Sequence, residues 1–131
     1  MTPRFLDAAD VDAIHDRMLV DHGGSPGIRN PAGLASAIGL PQQSFDGEFL
    51  HEFPFEMAAA YAFHIAESQA YVDGNKRTGA AAALVFLDLN GWDCSPGTWL
   101  STALLQIASG TLDKRGLAAL LEKQARKRSD D

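Results

Sequence analysis

The sequence predicts an all-α protein in which helices pack around one buried helix. The segment 75–90 is apolar almost all round, which is typical of a helix enclosed by its neighbours. Apolar residues elsewhere recur at helical spacing, and strand-like alternation is confined to a short stretch at 45–53. A chain of 131 residues can bury a sizeable core. We therefore expect a single domain over 1–131, a helical bundle with a possible short β-hairpin.

The first three predicted helices each have a recognisable start. Asp7 can cap the first helix, which Gly23-Gly24 ends. The second helix is expected to start at Asn30-Pro31, where Asn30 is the capping residue and Pro31 takes the first helical position. A proline also opens the third helix, at residue 54. These helices are predicted at 6–22, 31–40 and 54–68.

The remaining helices are separated by glycine and proline. Gly91 stops the fourth helix, in which the small residues 79–83 let neighbouring helices approach closely. Pro96 precedes the fifth, and Gly110 separates it from the sixth. These helices are predicted at 75–90, 98–108 and 113–127.

Composition narrows the class of protein. A net charge of −6 argues against DNA binding and against binding to an acidic membrane surface, since both need a basic face. The single cysteine, Cys94, excludes an internal disulfide framework and has no histidine nearby in the sequence to activate it as a nucleophile. The chain shows neither a signal-peptide apolar region nor a membrane-spanning run. We expect a soluble, cytoplasmic protein.

The segment 69–78, Gln-Ala-Tyr-Val-Asp-Gly-Asn-Lys-Arg-Thr, is the most informative part of the chain. A turn at Asp73-Gly74 opens directly onto a helix whose first turn carries Lys76 and Arg77. Cations are ordinarily disfavoured beside the positive end of a helix dipole. Two of them beside free helix amides indicate a site that receives an anion, for which phosphate is the natural candidate.

The residues of this turn have complementary chemistry. Backbone amides after Asp73 can converge on one anion, as in other phosphate-binding turns. Arg77 offers a two-pronged donor and Lys76 a point charge, and Asn75 can supply an amide contact. One carboxylate, here Asp73, suffices for Mg²⁺ when waters and phosphates complete the shell. The spacing is not that of a Walker A loop. The alternative interpretation is a plain turn and helix cap followed by exposed basic residues.

Residues 73–78, Asp-Gly-Asn-Lys-Arg-Thr, resemble the core of the Fic/Doc motif, H-x-F-x-[D/N]-[A/G]-N-[K/G]-R-T. Tyr71 stands where that motif has an aromatic residue. Flanking blocks at 14–16, 23–29 and 34–38 resemble the N-terminal pattern of death-on-curing (Doc) toxins. Gly91 and the helices after it also fit, so the resemblance covers nearly the whole chain.

The resemblance implies the helical Fic fold and ATP-dependent transfer onto a protein hydroxyl. Fic relatives usually transfer AMP, whereas Doc-type members phosphorylate a threonine of translation elongation factor Tu and are held by a small antitoxin. The segment 41–53 would be the flap that docks the target by strand addition. The implied nucleotide- and phosphate-binding residues are Asp73 (with Mg²⁺), Gly74, Asn75, Lys76, Arg77 and Thr78. The implied catalytic residues are Asp73, Lys76, Arg77 and the residue at position 69.

The sequence departs from the family where the motif histidine, the general base, is expected. Gln69 stands there, and a glutamine cannot accept a proton near neutral pH. Loss of a general base typically lowers the rate by about 10²–10⁴. Gln69 could still orient a hydroxyl, a role known in phosphoryl transfer. Ala81 stands where the family's motif helix has an asparagine, and Glu67 stands where an arginine can occur. Fewer contacts to the nucleotide are therefore expected.

Another histidine could in principle replace the missing base. His51, in the expected flap, is the candidate worth testing. His64 is predicted on a helix face turned away from the loop, and His15 fits a structural, hydrogen-bonded histidine better.

Three functions remain open at this point. The first is a Doc-like toxin, a kinase or nucleotidyltransferase, inhibited by a separate antitoxin. An internal inhibitory helix, [S/T]-x-x-x-E-[G/N], is absent, since the nearest match runs from Ser44 to Glu48 and fails at Phe49. The second is a nucleotide- or phosphate-binding module that kept the anion site without the base and acts through protein partners. The third is a helical structural protein with a coincidental turn.

Overall fold

A computed structural model describes residues 2–129, and within them the chain is mainly helical. A 3₁₀ turn spans Leu40–Gln42, and two small antiparallel sheets accompany the helices. The helices are α1 (Ala8–His22), α2 (Pro31–Gly39), α3 (Phe55–Ser68), α4 (Asn75–Leu89), α5 (Thr98–Ala108) and α6 (Lys114–Gln124). The strands are β1 (Ser44–Phe45), β2 (Glu48–Phe49), β3 (Trp92–Asp93) and β4 (Arg126–Lys127). The all-α prediction is confirmed.

The helix starts follow the capping residues of the sequence. Asp7 and Asp10 form a reciprocal capping box at the start of α1, each carboxylate accepting from the other's backbone N–H. The Asn30 side chain accepts from Gly33 N at 2.9 Å, and Pro31 occupies the first position of α2 as predicted. Local chemistry therefore fixes where the N-terminal helices begin.

The helix α4 lies at the centre of the bundle, as predicted, and α3 shares that position. The two helices pack so closely that a Cβ added to Gly79 would lie 2.6 Å from the carbonyl oxygen of Ala62. Ala58, Ala59 and Ala82 are fully buried along the same pair. Small side chains thus permit a close backbone approach, which holds the loop between α3 and α4 in one position.

The other elements enclose this central pair. The helix α1 packs against α4, while α2, the 3₁₀ turn and α6 cover α3. The fully or almost fully buried apolar side chains that they contribute include Val11, Leu34, Ile38, Leu117 and Leu121. No helix within residues 2–129 combines the length and apolarity needed to cross a bilayer.

The end of α6 differs from the prediction. The helix stops at Gln124, and residues 126–127 pair with β3 as a second small sheet. Arg128 anchors this pairing through Asp88 and Asp93. The predicted range 113–127 was therefore wrong at its C-terminal end, because a strand of two residues carries no periodic signal that could compete with a helical pattern.

The predicted hairpin is confirmed, with Ser44 paired to Phe49 and Phe45 paired to Glu48. Its turn, Asp46-Gly47, has positive φ at both residues (54° and 82°), the geometry that suits a two-residue hairpin loop. Phe45 is 76% exposed at the tip. The hairpin thus presents apolar surface to solvent.

A cluster of two histidines and a lysine ties the segment after the hairpin to two helices. Lys114, at the start of α6, contacts His51 Nε2 at 3.0 Å and His64 Nε2 at 3.1 Å. An ammonium only donates, so both imidazoles accept through Nε2 and are neutral. Burial and the Lys114 charge lower the pKa of His51 and of His64, against smaller opposing effects of Glu56 and Glu67 respectively. His51 and His64 also face each other edge to face.

We expect Gly79→Ala to lower the free energy of unfolding by about 1–3 kcal/mol, because the new methyl must displace the Ala62 carbonyl. Gly39→Ala, at a position with no neighbouring atom within 4 Å, is the matched control and should stabilise by up to about 1 kcal/mol. Urea denaturation measures both. A Gly79→Ala protein as stable as the Gly39→Ala protein would contradict the close-packing argument.

Acidification should destabilise the fold through His51 and His64. Their pKa values in the folded state lie below the unfolded value of about 6.5, so the unfolded chain takes up protons first. The stability contribution is complete above about pH 6.5 and falls as pH decreases through the folded pKa values. Denaturation between pH 5 and 7.5 measures it. The His51→Gln/His64→Gln protein should show a flatter profile, and an unchanged profile would refute the assignment.

Candidate functional site

The candidate site lies where the chain reverses between α3 and α4. Gln69 ends α3 in the left-handed conformation (φ 47°, ψ 37°), and Gly74 precedes α4 with φ 81°. Left-handed backbone is uncommon for residues other than glycine and is found at tightly constrained turns. The two residues turn the chain so that the first turn of α4 faces the end of α3.

The side chain of Asn75 closes this loop. Its Oδ1 accepts from the backbone N–H of Tyr71 at 2.9 Å, and its Nδ2 donates to the carbonyl of Tyr71 at 2.9 Å. The side-chain amide that the sequence analysis assigned to a phosphate contact is therefore occupied in shaping the loop. Its backbone N–H is the group left for an anion.

The first amides of α4 are uncovered. The first backbone bond of the helix runs from Thr78 N to Gly74 O at 2.9 Å, and Gly74 has no side chain to cap the helix. Within the described residues, the N–H groups of Asn75, Lys76 and Arg77 meet no acceptor. Unpaired amides at a helix start, together with the helix dipole, favour a negative charge, so this corner can accept an anion.

Asp73 presents an exposed, oriented carboxylate at this corner. Its Oδ1 accepts from Gly74 N at 2.9 Å and its Oδ2 from Ser25 N at 3.2 Å. Each oxygen keeps a free lone pair. Residues 2–129 contain no group of three or more acidic, histidine or cysteine side chains that could hold a metal ion. A lone carboxylate fits Mg²⁺ that is otherwise held by waters and phosphate oxygens, but not a metal held by protein alone.

The positive side chains at the start of α4 are available to bind an anion. Lys76 and Arg77 are exposed, and neither takes part in the ion pairs found within residues 2–129. With the helix amides they form a cleft of about 360 Å³, lined by Ala66, Gln69, Val72, Asp73, Gly74, Asn75, Lys76 and Arg77. Because a carboxylate repels a bare phosphate, this combination of charges suits a phosphate accompanied by a divalent cation.

A second, more apolar cleft of about 390 Å³ adjoins the first between α3 and α5. The two clefts share Ala66, Gln69 and Lys76. Glu67 lines this second cleft, and Ala81 lines a separate groove between α1, α4 and α5. Gln69, the residue at the position of the motif histidine, therefore lies at the junction of the two clefts.

Residues 23–30 form a support that the sequence did not reveal. Val72 N donates to Gly27 O at 3.0 Å, and the carbonyl of Ala70 accepts from Arg29 N and Asn30 N at 2.6 and 3.0 Å. A Cβ on Gly24 would lie 2.8 Å from Asp73 Oδ2. The glycine-rich segment thus packs directly behind the loop that carries Asp73.

The structure bears on three sequence expectations. Thr78 is fully buried, and neither its N–H nor its side chain faces the cleft, although it was counted among the phosphate-binding residues. His51 and His64 are held by Lys114 and do not line either cleft, so the structure does not support His51 as a relocated base. Cys94 is half-buried and burial raises its pKa, which agrees with an unreactive thiol.

The sequence favours a structural role for His15 and indicates none for Asp12 or for the Tyr71 hydroxyl. His15 and Tyr71 are both buried beneath the loop, and the Tyr71 hydroxyl donates to Asp12 at 2.6 Å. Burial and the Asp12 hydrogen bond raise the pKa of Tyr71. The pairing joins residues 59 positions apart, so no local pattern could have indicated it.

The chain belongs to the Fic/DOC family, whose sequence model matches residues 5–87. The resemblance found in the motif is thereby confirmed over most of the chain, including α1, the glycine-rich segment and the loop before α4.

Two characterised relatives are similar to this chain. One is named protein kinase doc, from Escherichia phage P1, and is 28% identical over 120 residues, which are 92% of this chain and 94% of that protein. The other is named toxin Doc, from Mycolicibacterium smegmatis, and is 39% identical over 69 residues, about half of each protein (53% and 53%). The chain is thus a Doc-like member of the family.

Asn75→Ala should lower the free energy of unfolding by about 1–3 kcal/mol, because the N–H and C=O of buried Tyr71 lose their partners. Lys76→Ala is the matched control. Lys76 is exposed, so its removal should change stability by at most about 0.5 kcal/mol. Thermal and urea denaturation measure both. Equal stabilities would mean that the Asn75 side chain does not hold the loop.

Proposed function

We propose that this protein is a Doc-like toxin of a toxin–antitoxin module that transfers a phosphoryl group, or AMP, from ATP to a hydroxyl of a protein. The observation that carries the proposal is the corner at the start of α4, where free amides, Lys76 and Arg77 surround a cleft beside the oriented carboxylate of Asp73. The names of the two relatives, a protein kinase and a toxin, favour the same function.

The residues of the cleft have distinct roles in this proposal. The amides of Asn75, Lys76 and Arg77 and the two cationic side chains bind the phosphates and offset the charge that spreads over the transferred group. Asp73 would hold Mg²⁺, which would offset negative charge on the phosphates. The target oxygen forms a new bond to phosphorus while the bond to the ADP oxygen breaks, or the bond to pyrophosphate in AMP transfer.

The proton of the target hydroxyl has no acceptor on Gln69, so in this protein it passes to solvent. The lack of a general base lowers the rate by about 10²–10⁴ relative to a histidine enzyme. Gln69 lies between the two clefts and can orient the hydroxyl by a hydrogen bond. The function proposed is therefore a weakened transferase rather than an efficient one.

The protein partners follow from the same hypothesis. Elongation factor Tu is the proposed target, docked by strand addition on the β1–β2 hairpin, where Phe45 and, directly after β2, Leu50 are exposed. A small antitoxin is the proposed inhibitor, because residues 44–49 lack the internal inhibitory pattern.

A second candidate is a binding module that retains the anion site and performs no transfer. The presence of Gln69 favours this binding module, because its neutral amide lines the cleft where group transfer would need a base. Such a module would bind magnesium nucleotide and act by occupying a protein partner.

The decisive experiment incubates the protein with elongation factor Tu and ATP labelled at either the γ- or the α-phosphate. Label from γ on the target indicates kinase activity, and label from α indicates AMP transfer. Gln69→His should raise the rate by about 10²–10⁴ if the remaining site is competent. Lys76→Ala should abolish labelling without unfolding the protein.

Magnesium-ATP binding without any transfer, in both the wild type and Gln69→His, would favour the binding module. Calorimetry with no detectable binding of magnesium-ATP would refute both candidates.

A further inference from the structure

A chain of partly buried contacts connects α1 to the turn at Asp73-Gly74. The hydroxyl of Tyr71 donates to Asp12 at 2.6 Å, and the Tyr71 ring stacks on His15 with centroids 3.7 Å apart and planes 7° from parallel. The Nε2 of His15 then lies 2.8 Å from the carbonyl oxygen of Asp73. His15 is only 3% exposed and Tyr71 1% exposed, so both rings are enclosed.

The proton positions in this chain follow from the partners. A carbonyl oxygen only accepts, so His15 carries a proton on Nε2 and donates it to Asp73. Stacking on Tyr71 prevents the ring from turning away from that carbonyl. The hydrogen bond is therefore directed at one peptide group, the one that joins Asp73 to Gly74.

The orientation of this peptide matters for the site. In a trans peptide the C=O and N–H point in opposite directions, so holding the Asp73 oxygen toward His15 directs the Gly74 N–H away from the protein interior. That N–H meets the Asp73 carboxylate at 2.9 Å. Glycine at position 74, with φ 81°, offers little resistance to a reversal of the peptide plane. A reversed peptide would turn the Asp73 carbonyl oxygen toward the bound anion.

We infer that His15 is a positioning residue for the anion site, which prevents reversal of the Asp73–Gly74 peptide. The effect of His15 on ligand binding rests on the proposed function, because the ligand is taken to be magnesium-ATP. Its effect on the orientation of the Asp73–Gly74 peptide is independent of that function. The hydrogen bond keeps a repelling oxygen out of the cleft and keeps the Asp73 carboxylate in place through Gly74 N.

Three variants separate the hydrogen bond from the packing. His15→Phe keeps a flat ring on Tyr71 but removes the donor. His15→Gln restores an N–H at similar reach without the aromatic ring. Tyr71→Phe removes only the hydroxyl bond to Asp12 and is the control for disturbance of the same stack. Circular dichroism establishes the temperature range in which each variant is fully folded, and all measurements are made within it.

Calorimetry with magnesium-ATP should show about tenfold or weaker binding for His15→Phe, the loss that corresponds to about 1.4 kcal/mol. His15→Gln and Tyr71→Phe should bind within a few-fold of the wild type. Equal weakening in His15→Phe and His15→Gln would overturn the inference in favour of a packing role, as would unchanged binding in His15→Phe.

Crystal structures of the wild type and His15→Phe test the peptide directly and without nucleotide. A reversed Asp73–Gly74 peptide in His15→Phe supports the inference even if no protein binds ATP, in which case the proposed function alone fails. An unreversed peptide overturns the inference. Should His15→Phe not fold, nitrogen-15 spectra of wild-type His15 decide: a protonated Nε2 supports the inference, and an unprotonated Nε2 overturns it.

Discussion

The reversal of the chain between α3 and α4 is the constraint on which the site depends. Gly79 lets α4 approach the backbone of α3 at Ala62, so the connecting residues must turn within a short distance. Gln69 and Gly74 accept left-handed backbone to make that turn, and the side chain of Asn75 fastens it. A helix that starts in this way has no side chain to cap its first amides. The uncapped amides of the proposed anion site are thus a direct consequence of how the two central helices pack.

The corner at the start of α4 combines two positive side chains with one carboxylate. Two cations beside a helix start would disfavour the fold by a few tenths to about 1 kcal/mol each, and the anionic ligand of the proposed function would offset that cost. Asp73 is held by two backbone amides, one of which comes from the glycine-rich segment after α1. The carboxylate is therefore fixed without losing its capacity to bind a metal. Phosphate and a divalent cation together satisfy both signs of charge, whereas either alone leaves one unmatched.

The sequence predicted what local chemistry determines. The caps Asp7 and Asn30, a short hairpin near residues 45–53 and the apolar helix α4 were all recognisable, and so was the motif that contains Asp73 and Lys76. Contacts between distant segments were not predictable. His15 meets Asp73 across 58 positions, and Lys114 meets His51 across 63. The last helix was predicted too long because β3 and β4 pair over two residues only. The burial of Thr78 was not predictable either, because a motif match does not reveal which side of a helix is buried.

The construction of the site also explains how the motif histidine could be replaced without loss of the binding corner. In the proposed function, anion binding relies on backbone amides, on the turn fastened by Asn75 and on cations at the start of α4, and none of these involves the side chain at position 69. Gln69 serves the fold through its backbone, as the residue that ends α3. The proposal therefore assigns binding and proton transfer to different groups. A change at position 69 is then expected to alter the chemistry of the cleft while the loop keeps its shape, so the two proposed functions, a weakened transferase and a pure binding module, differ by the role of a single side chain.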